Sequence, residues 1–186
     1  MMRTLGVSSA AAGQNRPVRA YLPTRAPGAL PSWRAKTLGI HGETLGNCHY
    51  AVDYLKNPDV YHLGDRVAII GSGNSAMDAA RTAVRKGSRY VTIYARRNGI
   101  SASERELEYA LADGCEIQYA KGIHSLTPEG PMMYDRVFDE EQNLISEGEP
   151  YLIPADSIVI AASQAAKDKI VRTTTGITLN EKGLVK

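Results

Sequence analysis

The feature that most constrains this chain is the run Val67-Ala68-Ile69-Ile70-Gly71-Ser72-Gly73-Asn74-Ser75-Ala76-Met77-Asp78. Four apolar residues of strand length lead into two glycines. A stretch follows in which Ala76, Ala80, Ala83 and Val84 recur at helical spacing. Gly71 permits a tight turn out of the strand. Gly73 leaves the backbone bare, so that a pyrophosphate can approach it. Ala76 is small enough for the helix to pack closely on the strand. A helix starting here turns its N–H groups and the positive end of its dipole toward that pyrophosphate, and Asn74 or Ser75 can cap it. A bare Gly-x-Gly-x-x-Ala also occurs in ordinary strand-to-helix turns. A strand before it, a helix after it and a further strand beyond are the context that a dinucleotide site requires.

The rest of the chain supplies that context. The helix over 74–86 is stopped by Gly87 in the C′ position. Tyr90-Val91-Thr92-Ile93-Tyr94 is β-rich. Ser103 with Glu106 three residues on forms a capping box, which predicts a second helix ending at Asp113-Gly114. Cys115 to Tyr119 reads as a strand. Ile123 to Thr127 and Met132 to Asp139 read as a small antiparallel excursion, and Ser157 to Ala161 as a last buried strand. Tyr50 to Leu55 reads as a short helix stopped near Asn57-Pro58. The expected fold is α/β: a Rossmann-like parallel sheet with helices on both faces and a small antiparallel β insertion.

The second strand selects the dinucleotide. Sites for NAD place Asp or Glu roughly 20 residues past the glycines, on the ribose 2′-hydroxyl. Here no acidic residue occurs from Arg89 to Ser103, and the strand ends in Arg96-Arg97. Two guanidiniums suit a 2′-phosphate. The alternative is a solvated strand edge. The pattern predicts NADP(H) rather than NAD(H). Asp78 is read as compensating the helix dipole in the first turn.

Charge and cysteine usage exclude other classes. Residues 1–36 carry six basic side chains and no acidic one, whereas the remainder carries 16 basic and 20 acidic. The body therefore has no basic surplus for a nucleic acid partner. Cys48 and Cys115 are 67 positions apart with no Cys-x-x-Cys, and read as small buried apolar residues. The four histidines show no ligand spacing, so no metal site is expected. No apolar run approaches a membrane span, and a cytoplasmic location is expected. Residues 1–32 hold four prolines and no acidic residue. They read as a disordered leader, an organelle transit peptide or a reading-frame artefact. The expected organisation is an atypical leader over 1–36, a nucleotide-binding domain over 37–166, and a truncated start of a return to a flavin domain over 167–186.

Over 36–186 the chain resembles the small subunit of NADPH-dependent glutamate synthase and related FAD- and iron–sulfur-linked pyridine-nucleotide oxidoreductases. Leu38-Gly39-Ile40-His41-Gly42-Glu43 resembles their L-x-I-P-G-E loop. Gly71 to Asp78 resembles G-x-G-N-x-A-M-D, and Val91 to Arg97 resembles the strand ending in paired arginines. Ile153 to Gln164 resembles the I-P-A-D-x-V-I-x-A-I-G-Q return strand. His41 replaces a proline and Ser163 a glycine of that pattern. The resemblance implies that NADPH passes hydride to FAD, and that electrons continue through iron–sulfur clusters toward glutamate. It implies NADP(H) contacts at Gly71, Gly73, Asn74, Ser75, Ala76, Arg96 and Arg97, with Ala161, Ala162 and Ser163 lining the nicotinamide cleft. No catalytic side chain is assigned, because the cofactors carry the chemistry. FAD belongs to the full-length family and is not expected on this chain, which lacks the family's flavin motifs. The expected partners are the remaining flavin-domain segments or a glutamate synthase large subunit. The alternative is a stand-alone nucleotide-binding or interaction module, or a non-catalytic truncated fragment.

Overall fold

A computed structural model describes residues 37–162 and, for the backbone alone, residues 33–35 and 164–166. The readings of residues 1–32 and 167–186, and that of Ser163, lie outside the described residues.

In chain order the elements are β1 (Trp33–Ala35), β2 (Cys48–Tyr50), α1 (Ala51–Tyr54), a 3-10 turn (Pro58–Val60), β3 (Arg66–Ile70), α2 (Asn74–Arg85), β4 (Tyr90–Tyr94) and α3 (Glu104–Ala112). They continue as β5 (Glu116–Gln118), β6 (Lys121–Thr127), β7 (Gly130–Phe138), β8 (Leu144–Glu147), β9 (Tyr151–Leu152), β10 (Ser157–Ile160) and β11 (Gln164–Ala166). Five strands form a parallel sheet in the order β2-β10-β3-β4-β5. Strands β6, β7, β8 and β9 form the antiparallel insertion, and β1 pairs with β11.

The alternation of side chains along the central strands builds two cores. Val67 and Ile69 of β3, Val91 and Ile93 of β4 and Val159 of β10 point to one face. There they meet Ala76, Met77, Ala80 and Ala83 of α2, together with α1 and α3. Ala68, Ile70, Tyr94, Ile158 and Ile160 point to the other face and meet Leu126 of β6 and Met133 of β7. Both faces of the central strands are thus covered, which is why β3 and β10 read as unbroken apolar runs. The α/β class, the parallel sheet and the antiparallel insertion are as expected. The cover of the second face differs from expectation: the described helices share one face, and the insertion fills the place of a second helical layer.

Three local details also differ. Tyr50 ends β2 rather than opening a helix, and α1 spans Ala51–Tyr54 alone. Cys48-His49-Tyr50 pairs in register with Ile158, Val159 and Ile160, so pairing with a buried neighbour decides where local pattern was silent. Asp78 is the fifth residue of α2, and no acidic residue lies in that helix's first turn. The Ser103 hydroxyl does cap α3, accepting from Glu106 N at 3.4 Å. The reciprocal half of the capping box is absent, because Glu106 turns its carboxylate to Arg81 Nη1 at 3.1 Å. Arg81 also donates from Nε to Asp113 at 2.9 Å, which ties α2 to α3.

The two cysteines are free, Cys115 buried and Cys48 half-buried. Cys48 lies in β2 at one edge of the parallel sheet, and Cys115 adjoins β5 at the other. Four strand spacings separate these edges, roughly 19 Å, far beyond disulfide reach. Burial pushes both thiols up to about 11, with the negative charges of Glu43 and Asp113 adding to it. These are structural thiols rather than a redox pair.

Candidate nucleotide-binding site

From β3 the chain passes to β4 on one side, while β10 pairs on the other. This reversal is the switch point of the sheet, and ligands of doubly wound folds bind in the crevice beyond the strand ends there. A cleft of about 490 Å³ opens at that place. Gly71, Ser72, Gly73, Arg96, Ala161 and Ala162 line it.

Each glycine has its own reason. Gly71 has φ +144°, and a Cβ there would lie 2.8 Å from the carbonyl oxygen of Ala161. The backbones of the β3 and β10 exits therefore meet at Gly71, and no larger residue fits. Gly73 is the N-cap of α2, with extended backbone and no side-chain cap. A Cβ there would lie 3.7 Å from Ser101 Oγ, an ordinary contact. Among the described residues no neighbour demands glycine at 73, and its missing side chain keeps the cleft clear.

Asn74 does not cap α2 as expected. Its Oδ1 accepts from Ser103 N at 3.0 Å. The Ser72 carbonyl accepts from Ser101 N at 2.9 Å and from Ala102 N at 2.8 Å. The loop after β4 is thereby laced to the glycine turn after β3. Ser75 is half-buried in the first turn of α2, and Ala76 is fully buried against β3.

Arg96 and Arg97 are both exposed. Among the described residues, no carboxylate pairs with either guanidinium. Arg96 lines the first cleft and also a second one of about 390 Å³, whereas Arg97 lines the second alone. The structure thus brings Gly71, Gly73, Arg96, Ala161 and Ala162 to one cleft and sets Arg97 just around its rim.

Sequence reasoning missed the opposite wall. Leu38, Ile40, Tyr94, Lys121 and Tyr134 also line the first cleft. The loop carrying Leu38 and Ile40 is organised by Glu43, a carboxylate only 9% exposed. Its Oε1 accepts from Ile40 N at 3.0 Å and its Oε2 from the Tyr50 hydroxyl at 2.8 Å. Burial opposes ionisation of Glu43. The N–H groups of Ile40, Gly39 and Leu38 and the Tyr50 hydroxyl outweigh burial and hold the carboxyl below its ordinary value of 4.5. Burial first, and Glu43 second, push the Tyr50 hydroxyl up to about 12. Gly42 (φ +93°) presses on β6, where a Cβ would lie 2.1 Å from Leu126 O. That fixes the loop against the insertion.

Glu43→Gln should therefore destabilise the protein at neutral pH by about 1–3 kcal/mol, since an amide NH₂ would face donors. The folded pKa is depressed, so the carboxylate's contribution is complete above the unfolded value and disappears as pH falls through the folded one. The stability gap between the two proteins, measured by urea denaturation across pH, should close below about pH 4.5. A gap of constant size into acid would contradict the role given to Glu43.

A family profile described as pyridine nucleotide-disulphide oxidoreductase matches residues 34–168. The chain belongs to this family. Glutamate synthase [NADPH] small chain of Halomonas elongata is 29% identical over 174 residues, covering 80% of this chain and 37% of that protein. The protein of the same name from Azospirillum brasilense is 31% identical over 115 residues, covering 53% of this chain and 23% of its own length. The chain thus spans less than two fifths of these relatives. Thioredoxin reductase of T. acidophilum superposes with a TM-score of 0.61 at 19% identity, over 83% of this chain and 49% of that one, which shows a shared fold. Among the described residues of this family member, no helix is long and apolar enough to cross a membrane.

Proposed function

We propose that this chain binds NADP(H) at the switch-point cleft, through a domain spanning 37–166. In the intact protein it would serve a cytoplasmic oxidoreductase of the glutamate synthase small-chain kind, in which hydride passes from NADPH to FAD. One observation carries this reading: the Gly71–Ala76 turn opens on a cleft lined by Arg96, with Arg97 in the adjoining cleft, and among the described residues no carboxylate pairs with either. A carboxylate at the end of β4 would favour a free ribose hydroxyl, and two guanidiniums favour a phosphate. Two relatives of the chain bear the name glutamate synthase [NADPH] small chain, which agrees with that choice.

The described residues fit NADP(H). The start of α2 has no side-chain cap and faces the cleft beside Gly73, as a pyrophosphate site requires. Ala161 and Ala162 offer small side chains at the exit of β10, where a nicotinamide ring would lie across from Leu38 and Ile40. These residues bind and orient the nucleotide and exclude water from one side of it. When bound, NADPH supplies the hydride. The described residues do not fit FAD as a second tenant, because they contain one Gly-x-Gly-x-x-Ala turn and that turn is taken by NADP(H). FAD and the next electron carrier would be held by other segments of the protein or by a partner such as a large subunit.

Calorimetric titration with NADPH and with NADH tests the reading. NADPH should bind more tightly than NADH. Equal affinity for the two would overturn it.

A further inference from the structure

The β insertion delivers a third arginine to the paired ones. Arg136 lies on β7, 40 positions from Arg96 along the chain. Its side chain is 7% exposed, and its Nε donates to Glu147 Oε1 of β8 at 2.9 Å. Nη1 lies 3.5 Å from the carbonyl oxygen of Arg96, and the guanidinium sits over the Phe138 ring at 5.4 Å. Arg96, Arg97 and Arg136 share the cleft of about 390 Å³, whose far wall is the β7–β8 turn from Glu141 to Leu144.

Arg136 is unlike its two neighbours. Arg96 and Arg97 are exposed side chains that solvent screens. The Arg136 side chain is largely covered, and its position is fixed by a carboxylate, a ring and a backbone carbonyl. A guanidinium has five N–H donors, and Glu147 and Arg96 account for two. Three guanidiniums at one cleft are offset by Glu141 in its lining and Glu147 beside Arg136, which leaves a surplus positive charge.

We propose that Arg136 is a specificity-determining residue for the phosphorylated ribose. It props the backbone of Arg96 and adds a third guanidinium to the 2′-phosphate subsite. The insertion, and not the parallel strand alone, then sets the preference for NADP(H). This rests on the NADP(H) reading above. Bidentate, pre-positioned guanidiniums suit a phosphate dianion far better than a ribose hydroxyl. Glu147 holds the fork in place before the nucleotide arrives.

The test is calorimetric titration of the whole 186-residue chain with NADP⁺ and with NAD⁺. Arg136→Met should lower the ratio of NADP⁺ to NAD⁺ affinity about tenfold, with NAD⁺ affinity nearly unchanged. Glu147→Gln, whose amide oxygen can still accept from Arg136 Nε while the competing negative charge is lost, should retain or raise the ratio, and a lowered ratio would overturn the proposal. An equal loss for both nucleotides in Arg136→Met would make Arg136 merely structural and overturn the proposal. A ratio unchanged in Arg136→Met but lost in Arg96→Ala/Arg97→Ala would overturn it while keeping the NADP(H) reading. No preference in the unaltered protein would overturn both. Should Arg136→Met fail to fold by circular dichroism, Arg136→Lys keeps the stem and charge without the fork. It should lower the ratio several-fold, and an unchanged ratio in that variant overturns the proposal.

Discussion

Replacing Arg96 and Arg97 together with alanine is expected to cut affinity for NADPH by about 10²-fold and to leave affinity for NADH nearly untouched. A hydrogen bond to a charged group contributes roughly 1.5–3 kcal/mol, and every 1.4 kcal/mol is tenfold in affinity. Both arginines are exposed before the nucleotide arrives, so the lower end of that range applies to each. The comparison of two nucleotides makes the experiment specific. A general disturbance of the site would weaken both, whereas loss of a phosphate contact weakens one. Nearly equal losses for NADPH and NADH would assign the arginines to a solvated edge.

A second large effect is expected at the glycine turn. Gly71→Val forces a Cβ to within 2.8 Å of the Ala161 carbonyl oxygen at a backbone φ of +144°. Strain and overpacking each cost about 1–3 kcal/mol. The obstacle is backbone, which cannot swing aside. Gly71→Val should therefore lose several kcal/mol of stability, seen in thermal and urea denaturation, and lose nucleotide binding with it. Gly73→Ala separates the two effects. Its nearest neighbour would be Ser101 Oγ at 3.7 Å, so the variant should fold normally. Its added methyl should nevertheless weaken NADPH and NADH alike, because it stands where the shared pyrophosphate approaches. Unchanged binding by a folded Gly73→Ala would mean that no phosphate runs over this turn.

The parts of the molecule legible in the sequence are those whose residues interact locally or carry strict chemistry. The β3 strand, the glycine turn and α2 could be read because an apolar run, two glycines and a helical alanine stripe each leave a mark within a few residues. Gly87, with φ +102°, ends α2 as its position suggested. Other features depend on partners distant in sequence. β2 is a strand because β10 lies beside it, and Cys48-His49-Tyr50 has no pattern of its own. Asn74 looked like a cap for its own helix, yet it caps the loop that β4 sends back to it, 29 positions away. The insertion's cover over the second face follows from Leu126 and Met133 meeting β3, β4 and β10, and no spacing announces that. In the site, the glycines and paired arginines were visible as motifs. Lys121, Tyr134 and Arg136 were not, since they reach the clefts from an antiparallel layer whose register is fixed by pairing rather than by sequence period. Leu38 and Ile40 stood within a recognisable loop, but their place on the cleft wall depends on Glu43 gathering the loop's N–H groups.

The central claim is that one nucleotide lies across the switch point with its phosphorylated ribose at the arginine pair. A crystal structure of the chain grown with NADP⁺ tests this most directly. The pyrophosphate should lie against the Gly71–Gly73 backbone at the start of α2. The 2′-phosphate should lie within charge-assisted hydrogen-bond distance, about 2.7–2.9 Å, of the Arg96 and Arg97 guanidiniums, and the nicotinamide beside Ala161 and Ala162. A nucleotide lying elsewhere, or one whose 2′-phosphate points to solvent away from both arginines, would contradict it.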